Sequence, residues 1–421
     1  MLLPGHYMKF NLASDNFTPV VTEYWSLKNN INYTAAIKSY DDIKSDVYRL
    51  LYNSVERRLI ADVPFGAFLS GGIDSSAVVG LMSKISSVPV KTFSVTFDES
   101  EFSEAKYAEI IAKKFGTDHS EIRLSPDAFR DQIPMALKAM DHPSGDGPNT
   151  YLVSKVTKEA GVSMALSGLG GDELFAGYEV FTRSLYLRKL KYLSIIPKSL
   201  RSMGTGLYKS IRKHTRTEKI HELFSLSNFE LRNTYPLSRK ILSESELQSL
   251  LSITLENKTY IAKELDNEHL LSSVSIAEME TYMQNVLLRD TDQMSMASAL
   301  EVRVPFMDYE LVEYVLGIPD KFKIPHSPKK LLTDSLGDLL PDEVVNRPKM
   351  GFTFPWKEWM KNELRDFCES KLSSLAKRPY FNELAVKERW CRFLNDDQRI
   401  SWSRIWYLVV LEDWLNENNI S

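Results

Sequence analysis

Phe65-Gly66-Ala67-Phe68-Leu69-Ser70-Gly71-Gly72-Ile73-Asp74-Ser75-Ser76 runs from an apolar strand through a Ser-Gly-Gly turn into the start of a helix. Such a turn is an anion site. Free backbone N–H groups at a helix N-terminus point at the ligand, the helix dipole favours negative charge, and glycine lets the backbone come close. Ser70 and Ser75 add hydroxyl donors. Asp74 would be repelled by bare phosphate, so its place in the turn implies a magnesium ion between its carboxylate and the phosphate oxygens. A steric use of Ser and Gly in an ordinary turn explains a lone Gly-Gly pair better, but the whole S-G-G-x-D-S pattern behind an apolar strand favours phosphate. No G-x-x-x-x-G-K-[ST] occurs, which removes the P-loop lysine and with it the kinase and GTPase classes.

Outward from this segment, apolar runs at 65–69, 90–97, 120–124 and 162–166 alternate with helical patterns at 75–86, 104–115 and 148–160. Short buried strands alternating with helices predict an α/β fold with a parallel, doubly wound sheet. Ligands of such sheets sit beyond the carboxyl ends of the strands, which points to the loops after Leu69, Phe97 and Leu166. Upstream, Ile37, Ile43, Val47, Leu50, Leu51, Val55 and Leu59 recur at helical spacing and predict one amphipathic helix over 37–60. Residues 1–27 read as an extended lead-in with two short β-rich pieces around Val20 and Tyr24-Trp25. After Tyr178 helical patterns dominate, with breaks at Pro197, Pro236, Pro305, Pro319 and Pro341, so a mainly α-helical C-terminal part follows the sheet.

With 421 residues, 43% hydrophobic and 26% charged, the chain has material for a sizeable core. A formal charge of −4 gives no global reason to hold nucleic acid, and a small-molecule substrate is expected instead. The two cysteines, Cys368 and Cys391, form neither a C-x-x-C pair nor a disulfide framework, which suits a reducing cytoplasm. The longest wholly apolar run, 405–411, is seven residues. A bilayer needs roughly 20, so no integral membrane segment is expected. The N-terminus lacks the basic start and long apolar stretch of a signal peptide. From Val180 to Thr217 there are ten Lys/Arg and no Asp/Glu. We read that stretch as a solvated helical face, with steering of an anionic substrate or contact with an anionic membrane surface as the alternatives.

The S-G-G-x-D-S segment resembles the pyrophosphate loop of ATP-pyrophosphatases, which cleave ATP between its α and β phosphates. A second stretch, Leu166-Ser167-Gly168-Leu169-Gly170-Gly171-Asp172-Glu173-Leu174-Phe175-Ala176-Gly177-Tyr178, is similar to the second signature of glutamine-hydrolysing asparagine synthetases. Further matches are Met294-Ser295-Met296-Ala297, Glu301-Val302-Arg303-Val304-Pro305-Phe306-Met307-Asp308 and Arg347-Pro348-Lys349-Met350-Gly351-Phe352. The resemblance runs from about Pro4 to at least Phe354. It implies a sheet of the adenine nucleotide alpha hydrolase-like type and an AMP-forming ligase. Such an enzyme adenylates a carboxylate, aspartate in the first instance, and lets ammonia displace AMP. Carried over by residue, it implies that Ser70, Gly71, Gly72, Asp74 and Ser75 hold the pyrophosphate, while Leu69, Val95, Ser167 and Gly168 frame adenosine. Asp74 and Asp172 would share magnesium, and Lys349 would neutralise the leaving pyrophosphate, with Asp172 and Glu173 completing the catalytic set. ATP and Mg2+ are the implied cofactors. Residues 1–30 would be a linker remnant after a missing glutaminase domain. Residues 31–421 would form the synthetase domain, divided into an ATP-binding core at 31–178 and a helical part at 179–421.

Three departures shape the substrate expectation. Residue 2 is Leu2 and no cysteine precedes Cys368, so the family's N-terminal cysteine nucleophile is absent. Ammonia would then come free or from a separately encoded glutaminase, and a homodimer is left open. Leu169 stands where the family usually carries a carboxylate, and a lost general base is typically worth about 10²–10⁴-fold in rate. Relatives without that acid resemble amidating enzymes of polysaccharide or secondary-metabolite pathways, which makes a sugar uronate or another carboxylate an alternative acceptor. The usual Lys-x-x-x-Arg is also altered, with Lys329 kept and Thr333 in place of arginine. The polar, Gly-rich loop at 141–150 is read either as an acceptor contact or as a turn capping the next helix, and His142 as structural or exposed. A non-catalytic ATP-binding partner of a separate glutaminase is the alternative from another class.

Overall fold

His6–Lys9 (β1) and Val20–Glu23 (β2) pair antiparallel ahead of the main sheet in the computed structural model, which describes residues 2–12, 18–97, 104–211, 215–254, 269–324, 329–347 and 354–420. The main sheet holds β3 (Phe65–Phe68), β4 (Lys91–Phe97), β5 (Asp118–Leu124), β6 (Met164–Leu166) and β7 (Glu301–Arg303), in the order β5-β4-β3-β6-β7. Every neighbouring pair is parallel. Helices α1 (Tyr40–Arg58), α2 (Ile73–Ile85), α3 (Ala105–Phe115), α4 (Pro126–Lys138), α5 (Gly147–Glu159) and the single turn α6 (Gly171–Leu174) belong to this part. Then follow α7 (Glu179–Lys189), α8 (Lys198–Ile211), α9 (Thr215–Phe224), α10 (Leu231–Arg239), α11 (Glu244–Leu250), α12 (Leu270–Glu278) and α13 (Leu288–Met296). Between α12 and α13 the chain winds as a π-helix over Met279–Leu287.

The strand order is what builds the site. β3 lies between β4 and β6, so the chain leaves β3 toward one side of the sheet and comes back on the other. The loops after β3 and β6 therefore open side by side at the carboxyl edge, the switch point where open α/β sheets bind ligands. Two motifs about a hundred residues apart in sequence meet there.

One core packs α1 and α2 on the sheet through Ile43, Val47, Leu51, Val79 and Leu81. A second gathers the C-terminal helices around Phe129, Trp356, Trp359 and Trp406, with the Trp356 and Trp406 ring centroids 4.3 Å apart. Val95 of β4 packs against this second core, which ties the helical part to the sheet. Among the described residues no helix is long and apolar enough to cross a membrane.

The four expected strands and three expected helices of the sheet half are present, with ends shifted by one or two residues. Three expectations need correcting, those on Ile37, on Pro236 and on a β-rich piece at Tyr24-Trp25, and two elements were not expected. Ile37 does not continue α1: Asn32 caps a separate 3-10 turn at Tyr33–Ile37, and the Ser39 hydroxyl accepts from the Asp42 N–H to start the helix afresh. Ile37 is left 93% exposed. Pro236 is not a break but lies inside α10, where burial of Leu231, Thr234 and Tyr235 on one face carries the helix through the proline. β7 was hidden from a strand reading because only Val302 of its three residues is apolar; that side chain packs against the small cluster of Phe93, Val162, Ala165 and Leu300. α4 escaped because Pro134 interrupts its pattern, although Ser125 caps it and Phe129, Ile133, Ala136 and Leu137 form a buried stripe. In the lead-in, the strand is β2 itself, and its partner β1 lacks a β-rich signal.

Candidate active site

At the end of β3 the Leu69 N–H donates to the Phe93 carbonyl at 2.8 Å, after which the chain turns through Ser70-Gly71-Gly72. Gly71 sits at φ +66, and a Cβ there would meet Tyr107 Cβ at 2.5 Å, so only glycine lets α3 close over the turn. α2 then starts behind Gly72 with no side-chain cap. Its first-turn N–H groups are thus aimed at the cavity without a protein carboxylate or hydroxyl capping them. The Ser70 and Ser75 hydroxyls lie 3.1 Å apart at the same end.

The loop after β6 comes in against this helix start. Ser167 N–H donates to Arg303 carbonyl at 2.9 Å, which sets the loop by β7, and a Cβ on Gly168 would lie 2.7 Å from the Ser75 nitrogen. Gly168→Ala is therefore expected to push the two loops apart, raising the ATP dissociation constant at least tenfold and costing about 1–3 kcal/mol of stability. ATP titration beside a urea denaturation curve checks both, and unchanged ATP affinity would show that the two loops do not form one site.

Asp74 from α2 and Asp172 from α6 share one cation, the ammonium of Lys329, which contacts Asp74 and lies 2.7 Å from an Asp172 oxygen. Lys329 is 5% exposed. Burial works against its charge, but the two carboxylates outweigh burial and hold its pKa above the ordinary lysine value. Glycines make the space for this trio. A Cβ on Gly171 would stand 2.3 Å from an Asp74 oxygen and one on Gly177 1.9 Å from an Asp172 oxygen. Two carboxylates converging on one cationic point are a donor set that would suit a magnesium ion, which would supply charge neutralisation there. Among the described residues no three acidic, His or Cys side chains form a metal centre by themselves.

A second cation borders the turn. Arg347 donates to Glu104 at 2.5 Å, lies over the Tyr107 ring at 4.8 Å, and its Nη2 would be 3.4 Å from a Cβ on Gly72. Burial raises the Glu104 pKa, with Arg347 pulling the other way. Lys349, the cation expected from sequence, falls outside the described residues.

A cavity of about 530 Å³ joins these groups, a size suited to a small ligand. Leu69, Ser70, Gly72, Asp74, Ser75, Val95, Ser167, Gly168, Asp172 and Glu173 all line it. Gly71 belongs to the turn but faces α3. Leu169, Asp146, Thr150, Tyr178, Tyr282 and Asp290 line another part of the same cavity.

That part is a set of acids paired with hydroxyls. Tyr178 donates to Glu173 at 2.8 Å, and Ser144 donates to Asp290 at 2.5 Å. Burial pushes Glu173 up to about 7 and Asp290 up to about 6. Burial also raises Asp146, against a hydrogen bond from Tyr282. Asp146 makes no side-chain cap on α5, and with Asn149 and Thr150 of the same loop it lines the cavity. His142 braces the wall, with one ring nitrogen 2.9 Å from Asp141 and the other 3.6 Å from Asp290.

Sequence reasoning left out Lys329, Arg347 and Asp290 as site residues. The first two were in view, Lys329 as a kept lysine and Arg347 as the head of a quoted motif. Asp290 carries no signal, being one charge in a helical pattern.

Sheet, loops and helical annex together make an α/β fold of the ATP-pyrophosphatase type. A model of the asparagine synthase family matches residues 46–416, and the chain belongs to that family. It is 30% identical to asparagine synthetase (glutamine-hydrolyzing) 1 of Bacillus subtilis, over 96% of this chain and 61% of that protein. It is 29% identical to a putative asparagine synthetase (glutamine-hydrolyzing) of Mycobacterium tuberculosis, over 96% and 62% of the two chains. A further relative is amidase chyE of Penicillium rubens, 25% identical over 85% of this chain and 58% of that protein. The chain thus spans about three fifths of the length of the relatives it matches.

Proposed function

We propose that the protein activates a carboxylate with ATP and passes the acyl group to ammonia, forming an amide, AMP and pyrophosphate. The observation that carries this reading is the Lys329 ammonium held between Asp74 and Asp172 beside the uncapped start of α2. The backbone of residues 70–75 would bind the β and γ phosphates, and Leu69 and Val95 would flank the adenosine. Asp74 and Asp172 would hold a magnesium ion, which supplies charge neutralisation on the pyrophosphate. A carboxylate oxygen of the acceptor attacks the α-phosphorus, and the bond to the bridging oxygen breaks as pyrophosphate leaves. Lys329 stabilises the charge that gathers there, preorganised and out of water. The family resemblance assigns Lys349 to the same charge. Ammonia then attacks the acyl carbon, one of its protons passes to Glu173, and AMP leaves.

Aspartate is the first acceptor to consider, given the asparagine synthetases among the relatives. A second reading, amidation of another carboxylate such as a sugar uronate, is favoured by Leu169, whose apolar side chain lines the acceptor end. The amidase-named relative is compatible with it. Pyrophosphate release measured with ATP, magnesium and ammonium across aspartate and a uronate panel tests the proposal. AMP, pyrophosphate and amide should form in equal amounts with at least one acceptor, and release with none would end it. Leu169→Glu should raise turnover of aspartate at least tenfold if this position sets acceptor choice; an unchanged acceptor profile would remove it as a determinant.

A further inference from the structure

We propose that the stretch from Tyr186 to Met203 docks this protein on an anionic lipid surface. The inference stands apart from the reaction proposed above. Tyr186, Tyr192, Ile195, Ile196, Leu200 and Met203 are each between 42% and 85% exposed, six large apolar side chains within one short stretch. Lys189, Lys191 and Lys198 are exposed among them. No carboxylate of the described residues pairs with these three lysines, and Lys189 lies over the Tyr186 ring at 5.6 Å.

The presentation of these side chains is built. α7 ends at Lys189, a 3-10 turn spans Leu190–Ile195, and α8 begins at Lys198. Arg201 is only 7% exposed and pins this bend from behind, donating to the Ile196 and Leu226 carbonyls at 3.0 Å and stacking over Phe229 at 4.9 Å. One basic residue of the segment is thus used inward to fix the backbone, while the tip with Ile195 and Ile196 faces out.

Charge and chemistry choose the occupant. The chain has 52 basic and 56 acidic residues; with ten basic and no acidic residues at 180–217, the remainder holds 42 against 56. Lys189, Lys191 and Lys198 stand exposed beside the apolar side chains in a stretch without acidic residues, and an anionic surface would orient the molecule by them. Aliphatic Ile195, Ile196, Leu200 and Met203 offer no stacking face or base-reading group for nucleic acid. They suit the headgroup and acyl boundary, where interfacial segments bury apolar side chains about 5–10 Å deep and tyrosines sit at headgroup level. A second copy of the chain is disfavoured because a two-fold contact through this face would bring the same lysines together. The opposite end of α7 starts at Tyr178, which lines the cavity, so an 11-residue helix about 16 Å long links the site to the docking face.

Flotation of the full chain with phosphatidylcholine vesicles, with and without phosphatidylglycerol, tests this. Partitioning onto the anionic vesicles is expected to exceed that onto neutral ones at least tenfold and to collapse in high salt. The triple variant Lys189→Glu, Lys191→Glu, Lys198→Glu should lower it at least tenfold. The double variant Ile195→Ser, Ile196→Ser should lower it too while thermal unfolding stays unchanged. The proposal is overturned by equal partitioning onto neutral vesicles, by no partitioning onto either, by partitioning that the variants leave intact, or by a dimer in size exclusion that the isoleucine variant dissolves.

Discussion

Lys329→Met is expected to release no pyrophosphate above background and to unfold at a lower urea concentration than the parent protein. The ammonium it removes is 5% exposed and is shared by Asp74 and Asp172. Deleting it costs about 1–3 kcal/mol, because Asp74 and Asp172 lose their shared partner but are partly exposed to the cavity, where water takes over some of their solvation. The rate loss is separate. One preorganised donor at a developing charge is typically worth about 10²–10³ in kcat, and here the same group also holds the two aspartates in place. A triple variant, Lys329→Met with Asp74→Asn and Asp172→Asn, tells the two effects apart: it should regain much of the stability and none of the activity. Full pyrophosphate release by Lys329→Met would remove this lysine from the chemistry.

The second large effect concerns Glu173. Burial raises its pKa from 4.5 to about 7, while the Tyr178 hydroxyl pulls it down and Asp172 pushes it up. A folded-state value above the unfolded one means that the native protein binds this proton more tightly. The stabilisation it provides is complete below about pH 4.5 and is lost as pH rises through about 7. The shift corresponds to roughly 3 kcal/mol. Glu173→Gln should accordingly be more stable than the parent at pH 8 and little different at pH 4, read from urea midpoints. Asp290, pushed up to about 6, adds a smaller pH dependence of the same sign that the substitution leaves in place. Activity should move the opposite way. A base with a pKa near the working pH is best placed to take a proton from the attacking ammonia. The variant should lose about 10²–10⁴ in kcat together with the limb of the pH–rate profile centred near 7. A retained limb would assign it to another group.

The geometry of the 65–76 turn was legible because it is local. An apolar strand, a Ser-Gly-Gly turn and a helix start follow one another in the chain, so residues 65–76 display the geometry by themselves. The meeting of that loop with the one after β6 followed from the doubly wound pattern, though neither the strand order nor β7 did. Lys329 was harder to see as a site residue because its role arises from burial between two carboxylates, 255 residues from Asp74 in the chain. The same holds for Arg347, whose partner Glu104 lies 243 residues away. Asp146 and Asp290 gain their character from desolvation, which no spacing records. Sequence pattern reports what a segment does by itself, whereas this wall of the cavity joins the 141–150 loop, the 166–178 motif and Asp290.

The π-helix at Met279–Leu287 has a consequence for how that wall can evolve. Its wider turns bring Tyr282, Leu287 and Asp290 to one wall. Wide turns of this kind arise when a residue is added to a regular helix. Losing that residue would restore regular winding and rotate all that follows by about 100°, swinging Asp290 away from Ser144. A single codon gained or lost there would re-cut this wall of the cavity while leaving the turn at residues 70–75 as it is.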